Sequence, residues 1–471
     1  MPIKTEASFA RKPTGDAPGL LGVKIAGLRA VEDFRNIHPG LLLDTSLSMA
    51  GKSIETVLKT VTGLINCLNI GDKITIVGFG SNPYTIFSAV TITADPLQKS
   101  AMIADLTRHL VADGETNLQD ALLHIGAINQ AEPPMDVLML LSDGDVTGTG
   151  IKTAAGLYSI VKSCFGATPM YTIGYRNGYN AELMEAFAKR SQGSHTFAEN
   201  ELALPVVIGD MIGGLQSAVA NELILTFHAA FMCREPDTIV GEPTFKIGTI
   251  IADKPMWVLF EVPLGLENSP LLLNYKEDGV TKTATFTPID GQCDELEILE
   301  QENRCMVGVA LKKVKEAMKR HKLDEARELL STCLTTISSS RVVDRPLTIL
   351  MKAQLEESLE EVNRAMRDLR RGHVPAHLVN RMTSLGANYA AQRGVTQMAD
   401  NTTPGVFSSP HQTRTSQAMA SQYTRASCSS LPADPADDEP ASDSLWYTAP
   451  EVLLAMVASR VTHGQVVTPT T

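Results

Sequence analysis

Gly40-Leu41-Leu42-Leu43-Asp44-Thr45-Ser46-Leu47-Ser48 begins as an apolar run and ends in a carboxylate and two hydroxyls. The run has no polar alternation, so it reads as a short strand covered on both faces. Ile54, Val57, Leu58, Val61, Leu64, Ile65 and Leu68 then follow at helical spacing, one apolar stripe. Strand, polar turn and amphipathic helix make the first unit of a longer alternation. Ile74–Phe79 reads as a strand, the stretches around Met102–Leu110 and Leu118–Ile128 as helices, and the unbroken apolar run Val137–Leu141 as another buried strand. Ile151–Cys164 reads as a helix, Met170–Ile173 as a strand, Ala181–Arg190 as a helix, His195–Ala198 as a last strand and Leu202–Val219 as a last helix. The alternation predicts an α/β fold over residues 38–215, a doubly wound, mostly parallel, Rossmann-like sheet with right-handed crossovers. Ligands of such sheets bind beyond the carboxyl ends of the strands.

Three polar stretches fall at that edge. Alternate residues of an extended-to-turn segment point the same way, so Asp44, Ser46 and Ser48 converge. Gly114-Glu115-Thr116-Asn117 precedes a helix and offers the Thr116 hydroxyl. Ser142-Asp143-Gly144 follows the Val137–Leu141 strand and puts the Asp143 carboxylate at its end. Carboxylates and hydroxyls are hard ligands that suit Mg²⁺ or Mn²⁺ rather than zinc or copper, and Mg²⁺ keeps coordination positions for water or a partner's oxygen. Each piece has an ordinary explanation when taken alone. Asp44, Ser46, Ser48 or Thr116 could cap a helix, and Asp143-Gly144 could be a plain turn. Agreement of all three at one sheet edge favours a metal site. His109, His124 and His195 have no partner legible in the sequence, and Asp145 and Glu115 read as solvated loop acids.

Other chemistries find less support. Gly51-Lys52-Ser53 looks like the end of a phosphate-binding loop, but Ser46 stands where that pattern needs a glycine. Neither a GxSxG elbow nor an HExxH helix occurs, so no enzyme is expected. The balance of 41 Lys and Arg against 53 Asp and Glu gives a net charge of −12, which disfavours nucleic acid and anionic membranes. Hydrophobic residues make up 44%, ample for a sizeable core. The seven cysteines are dispersed and form no CxxC pair, which leaves zinc modules without a ligand set and suggests free thiols. Met1–Ala10 lacks the apolar stretch of a signal peptide, and no run approaches the about 18 apolar residues of a membrane span, so the expectation is the cytoplasm or nucleus.

The motif set resembles the metal-ion-dependent adhesion site of von Willebrand factor type A domains, in the order DxSxS, a threonine in a GxTN-like loop, and the aspartate of a (T/S)DG motif. Asp44, Ser46, Ser48, Thr116 and Asp143 fit it. The resemblance implies that the two serines and the threonine contact a Mg²⁺ or Mn²⁺ ion or switch with ligand state. It also implies that the aspartates often act through bound water, and that an Asp or Glu of another protein completes the coordination. Glu115 stands where the family often has glycine.

The rest of the chain reads as separate pieces. Residues 1–37 mix Pro, Gly and charge and suggest a loose arm or a first strand. Residues 220–295, with strands at Leu223–Phe231, Thr244–Ile250 and Trp257–Val262, suggest a small antiparallel β domain. Residues 300–396 suggest a helical region, with one helix over Gln301–Leu330 and another over about 345–371. In the second, Leu355, Leu359, Val362, Met366 and Leu369 form a seam too short for a coiled coil, so a hairpin packing on itself is favoured. Arg364–Arg371 reads as a solvated basic face. Residues 397–443 are poor in large apolar side chains and are expected to be disordered, and in the tail over 444–471 the apolar stretch Leu445–Val457 reads as a short helix that either binds a partner or docks back on the core. The region after 220 loosely resembles the Vwaint region of proteins that pair a von Willebrand A domain with a RING finger, at Asn221–Phe227, Leu323–Leu330 and Tyr389–Arg393. No RING is present. The expectations are a cation-dependent adaptor, or else a recruiting component of ubiquitin ligation or a subunit of an ATPase-linked, chelatase-like complex.

Overall fold

The chain opens with a hairpin, β1 (Ile3–Arg11) and β2 (Gly19–Gly27), before the α/β region begins. A computed structural model describes residues 3–28, 34–143, 146–147, 150–166, 168–175, 179–191, 193–198, 200–236, 242–277, 279–368, 376–391 and 408–428. Next come β3 (Pro39–Asp44), α1 (Lys52–Cys67), β4 (Lys73–Phe79), β5 (Pro83–Thr91), α2 (Gln98–His109), α3 (Leu118–Ala131) and β6 (Val137–Ser142). The α/β region closes with α4 (Ala154–Phe165), β7 (Met170–Tyr175), α5 (Ala181–Arg190), β8 (His195–Ala198) and α6 (Ala203–Gln216). The sheet order is β5-β4-β3-β6-β7-β8. Every pair is parallel except β4 with β5, so the sheet is the doubly wound one its apolar runs predict. Strands β3, β6 and β7 are buried along their whole length, which requires helices on both faces. β3 connects onward to β4 on one side and lies beside β6 on the other. That reversal opens a crevice at their carboxyl ends.

After α6 the chain returns to antiparallel strands: β9 (Ala218–Thr226), β10 (Met232–Cys233), β11 (Thr244–Ile251), β12 (Met256–Val262), β13 (Leu271–Glu277) and β14 (Val280–Phe286). They form two four-stranded sheets, β1-β2-β12-β10 and β11-β9-β13-β14. Of the two readings of residues 1–37, the strand rather than the loose arm describes Ile3–Arg11 and Gly19–Gly27. Leu21, Val23 and Ile25 alternate along β2 and face Leu223, Leu225, Phe260 and Leu273 in one core, while Gly19–Ile25 of β2 pair with the whole of β12. The β domain is thus discontinuous, and the α/β region is inserted between its hairpin and its remaining strands.

Helices α7 (Glu295–Lys319), α8 (Leu323–Ser338), α9 (Pro346–Asp368) and α10 (Ala376–Ala391) share a third core. The single helix expected over Gln301–Leu330 is broken at Arg320–Lys322. His321 takes a left-handed conformation there (φ 57°), and the reversal lets Leu323, Ala326 and Leu330 bury against α7. Leu355 and Val362 of the α9 seam are buried inside this bundle, as expected for self-packing; Leu369 lies outside the described residues. α10 also lies along β8, where the Phe197 amide donates to Ser384 Oγ (3.1 Å).

The stretch expected to be disordered over 397–443 contains a helix, α11 (Pro410–Cys428); 397–407 and 429–443, like Leu445–Val457, lie outside the described residues. α11 has little large apolar surface because it packs on glycines instead. A Cβ on Gly209 would come within 2.6 Å of Ser416 Cα, and one on Gly213 within 2.8 Å of Gln412 Cα. Polar groups close the contact, with Ser416 Oγ donating to Val206 O (3.0 Å) and Gln412 Nε2 donating to Asp210 O (3.0 Å). Composition hides such packing, since it rests on close backbone approach rather than on large side chains. Gly209→Val is expected to push α11 off α6, to destabilise the protein by about 1–3 kcal/mol, and to speed proteolytic cleavage within 410–428. Unchanged cleavage would show that the glycine contact does not hold α11.

Candidate metal centre

Asp44 is the last residue of β3, and Ser142 the last of β6. Leu43 pairs with Leu141, which places the next residues of the two strands side by side at the crevice. Ser142 Oγ donates to Asp44 Oδ2 (2.5 Å), and the Ser46 amide donates to Asp44 Oδ1 (2.9 Å). The Ser46 and Ser48 hydroxyl oxygens stand 2.9 Å apart, and Ser48 Oγ donates to Asp143 Oδ1 (2.7 Å). Hydrogen bonds thus join Asp44, Ser46, Ser48 and Asp143 into one cluster.

Thr116 sits on the adjoining loop and is buried. That loop is fastened to the first by Leu47 N to Gly114 O (3.0 Å) and by Asp113 N to Thr45 O (2.6 Å). The Thr116 amide donates to Thr147 Oγ1 (3.0 Å), while none of the hydrogen bonds of the cluster reaches its hydroxyl. Gly80 permits this close approach, since a Cβ there would lie 2.1 Å from Asp113 O.

The capping explanations fail locally. Asn117, not Thr116, caps α3, with Oδ1 accepting from Asp120 N. α1 starts after Gly51, whose φ of 76° suits glycine, and the Ser46 side chain makes no cap hydrogen bond to the short turn Leu47–Met49. The hydroxyls are therefore left for other work.

Electrostatics favour a cation here. Asp44 is fully buried and forms no ion pair with a described Lys, Arg or His. Burial raises its pKa, against the lowering effect of the Ser142 and Ser46 hydrogen bonds. A buried carboxylate ordinarily has a cationic partner. The donor set is oxygen throughout, and among the described residues no three His, Cys, Asp or Glu cluster as a soft-metal site would need. These residues suit a hard divalent cation.

The histidines stand elsewhere. His195 is buried between Thr172 Oγ1 (3.0 Å) and Tyr179 OH (3.1 Å), and burial pushes its pKa down to about 3. His124 meets Thr85 Oγ1 (2.7 Å) and His109 its own helix at Asp105 O (2.8 Å). Asp145 lies outside the described residues. Among the described residues no helix is long and apolar enough to cross a membrane.

Comparison with known proteins agrees with this architecture. The von Willebrand factor type A domain family matches residues 40–207. The uncharacterized protein sll0103 of Synechocystis is 29% identical over 163 residues, which is 34% of this chain and 37% of that protein. Inter-alpha-trypsin inhibitor heavy chain H1 of Mesocricetus auratus is 25% identical over 175 residues, 35% of this chain and 19% of that one. The matches thus span well under half the length of these curated relatives. Among solved structures, a von Willebrand factor type A protein from Catenulispora acidiphila superposes with a TM-score of 0.60 at 14% identity, covering 84% of this chain and 97% of that one. The ArnB paralog VWA2 from Sulfolobus acidocaldarius gives 0.51 at 17% identity, covering 82% and 98%. These two share the fold beyond the α/β sheet, so the joined β and helical parts recur with it. With its switch-point crevice and its matched span, the stretch from 40 to 207 is a von Willebrand factor type A domain.

Proposed function

We propose that this chain is a non-enzymatic, divalent-cation-dependent protein-binding protein whose metal site is formed by Asp44, Ser46, Ser48, Thr116 and Asp143. One observation carries the reading: a buried carboxylate with no ion-pair partner among the described residues, hydrogen-bonded into a row of hydroxyls and a second carboxylate at the switch point. A bound Mg²⁺ or Mn²⁺ supplies a positive charge and an open coordination position for an Asp or Glu oxygen of the partner. The chain's own residues set the geometry. Ser142 and the Ser46 amide orient Asp44, Ser48 orients Asp143, and the Gly114 contact holds the Thr116 loop against Leu47. The β sandwich and the helical bundle, Vwaint-like in sequence, then serve as the platform that carries the site.

Calorimetric titration of the full chain is expected to give saturable heat with MgCl₂ and with MnCl₂, and none after EDTA is added in excess. Titrations without heat from either ion, in protein shown to be folded and metal-free, would falsify the reading.

A further inference from the structure

Among the described residues the three sheets end at β5 and β8, at β1 and β10, and at β11 and β14. The free backbone groups along such a strand are a template for another one, and proteins blunt them with bulges, proline, charge, short length or cover. Five of these edges are blunted. β5 opens with Pro83 and shifts register against β4. β8 lies along α10, with its Phe197 amide held by Ser384. β1 shifts register between Phe9 and Arg11, and its Ala7 already bonds to the Ile289 amide and the Gln292 side chain. β10 is two residues long, and β11 shifts register around Gly248. β14 is the exception. All seven of its residues, Val280–Phe286, pair with β13 without a shift, and none is Gly or Pro. Its one charge, Lys282, is paired with Glu277 of β13. Val280, Thr281, Lys282, Thr283 and Thr285 are exposed, while Ala284 and Phe286 pack on the sandwich core.

The strand also complements itself. A second β14 laid antiparallel, with Thr283 opposite Thr283, pairs all seven residues. Val280 then lies opposite Phe286, Thr281 opposite Thr285 and Lys282 opposite Ala284, so no charge meets its like. Neighbouring registers are worse. Centring the pair on Lys282 would set two ammonium groups against each other, and centring it on Ala284 would set Val280 against Pro288, beyond the strand. We infer that β14 is a homodimer interface, at which two copies join edge to edge about a twofold axis at Thr283 and extend the four-stranded sheet to eight. The contact uses the same edge of both copies, so it closes on a dimer rather than growing into a filament. A pairing of this length buries less than the about 1,200 Å² of a standard interface, so the dimer is reversible and depends on concentration.

The test is sedimentation of the full chain from low micromolar to submillimolar concentration, in EDTA and in MgCl₂. Wild-type protein is expected to show one monomer–dimer equilibrium, the same in both buffers. Two double variants then probe the register at exposed positions. Thr281→Glu with Thr285→Glu sets like charges opposite each other twice, whereas Thr281→Lys with Thr285→Glu sets opposite charges there. The second is expected to dimerise about tenfold more tightly than the first, and the gap is expected to narrow in high salt. Urea unfolding of both variants checks that the sandwich is intact. A wild-type chain that stays monomeric throughout, which leaves the edge to a strand of another protein, overturns the proposal. So does a dimer that forms only with MgCl₂, or equal dissociation constants for the two variants.

Discussion

Asp143→Ala is expected to remove most of the magnesium-dependent heat, weakening affinity by about 100-fold, while the unfolding midpoint of the metal-free protein moves little. The estimate takes the upper end of the about 10–100-fold lost with residues that act on a metal through another ligand or a bound water. Asp143 contributes a full carboxylate, one of the two in the cluster, and its Oδ1 holds the Ser48 hydroxyl in place. Truncation removes a charge and also frees a neighbouring ligand. Stability is insulated from this change. Asp143 follows the last residue of β6, and the strand's buried side chains, Leu138, Leu140 and Leu141, are untouched. Ser48 is exposed, so its hydroxyl finds water once its acceptor is gone. Calorimetry with MgCl₂ and urea unfolding of the same preparation separate the two effects. Retained heat would remove Asp143 from the site, and collapse of the unfolding midpoint would give it a structural role instead.

The sequence carries the parallel sheet and its polar edge because both are written locally. Unbroken apolar runs such as Val137–Leu141 have one explanation in a chain that alternates with amphipathic stripes, and the carboxylate after each run follows from strand direction. The antiparallel edge strand β5 was not legible, since Pro83–Thr91 is only half buried and begins with a proline after the turn Gly80-Ser81-Asn82. The hairpin of β1 and β2 failed to stand out for another reason. Its partner β12 lies more than two hundred residues on, and the three glycines of β2, which read as loop, are places of close approach: a Cβ on Gly22 would lie 2.6 Å from Ile298 Cγ1. α11 shows the limit of composition most plainly. Ser, Thr and Gln, read as a mark of disorder, pack there against Gly209 and Gly213. Of the five site residues, hydrogen bonds link the four whose motifs end strands β3 and β6. Thr116, placed by a loop, is tied in only through backbone contacts.

One buried ion pair carries part of the long-range order that the sequence does not display, and Glu235→Ala is expected to expose it by costing about 3–5 kcal/mol. Glu235 and Arg304 have fully buried side chains, and the carboxylate takes both Arg304 Nη2 contacts at 2.8 and 2.9 Å. Each partner also reaches further. Glu235 Oε1 accepts from the Leu259 amide of β12 (3.1 Å), while Arg304 of α7 donates from Nε to Gln301 Oε1 (2.6 Å) and from Nη1 to the Tyr389 carbonyl of α10 (2.9 Å). The pair therefore joins the β sandwich to the helical bundle. Desolvation of two ions makes such a pair weak as a net source of stability, but removal of one partner strands the other charge. The size of the single-variant effect then reflects the orphaned guanidinium rather than the strength of the bond. The double variant Glu235→Leu, Arg304→Met separates these explanations. Replacing both ions by apolar side chains of similar volume is expected to recover most of the loss, bringing urea stability to within about 1–2 kcal/mol of the parent, so that the two substitutions are strongly non-additive. A double variant as unstable as the sum of the singles would mean that the bonds to Leu259, Gln301 and Tyr389, and not the buried charge, hold the two parts together.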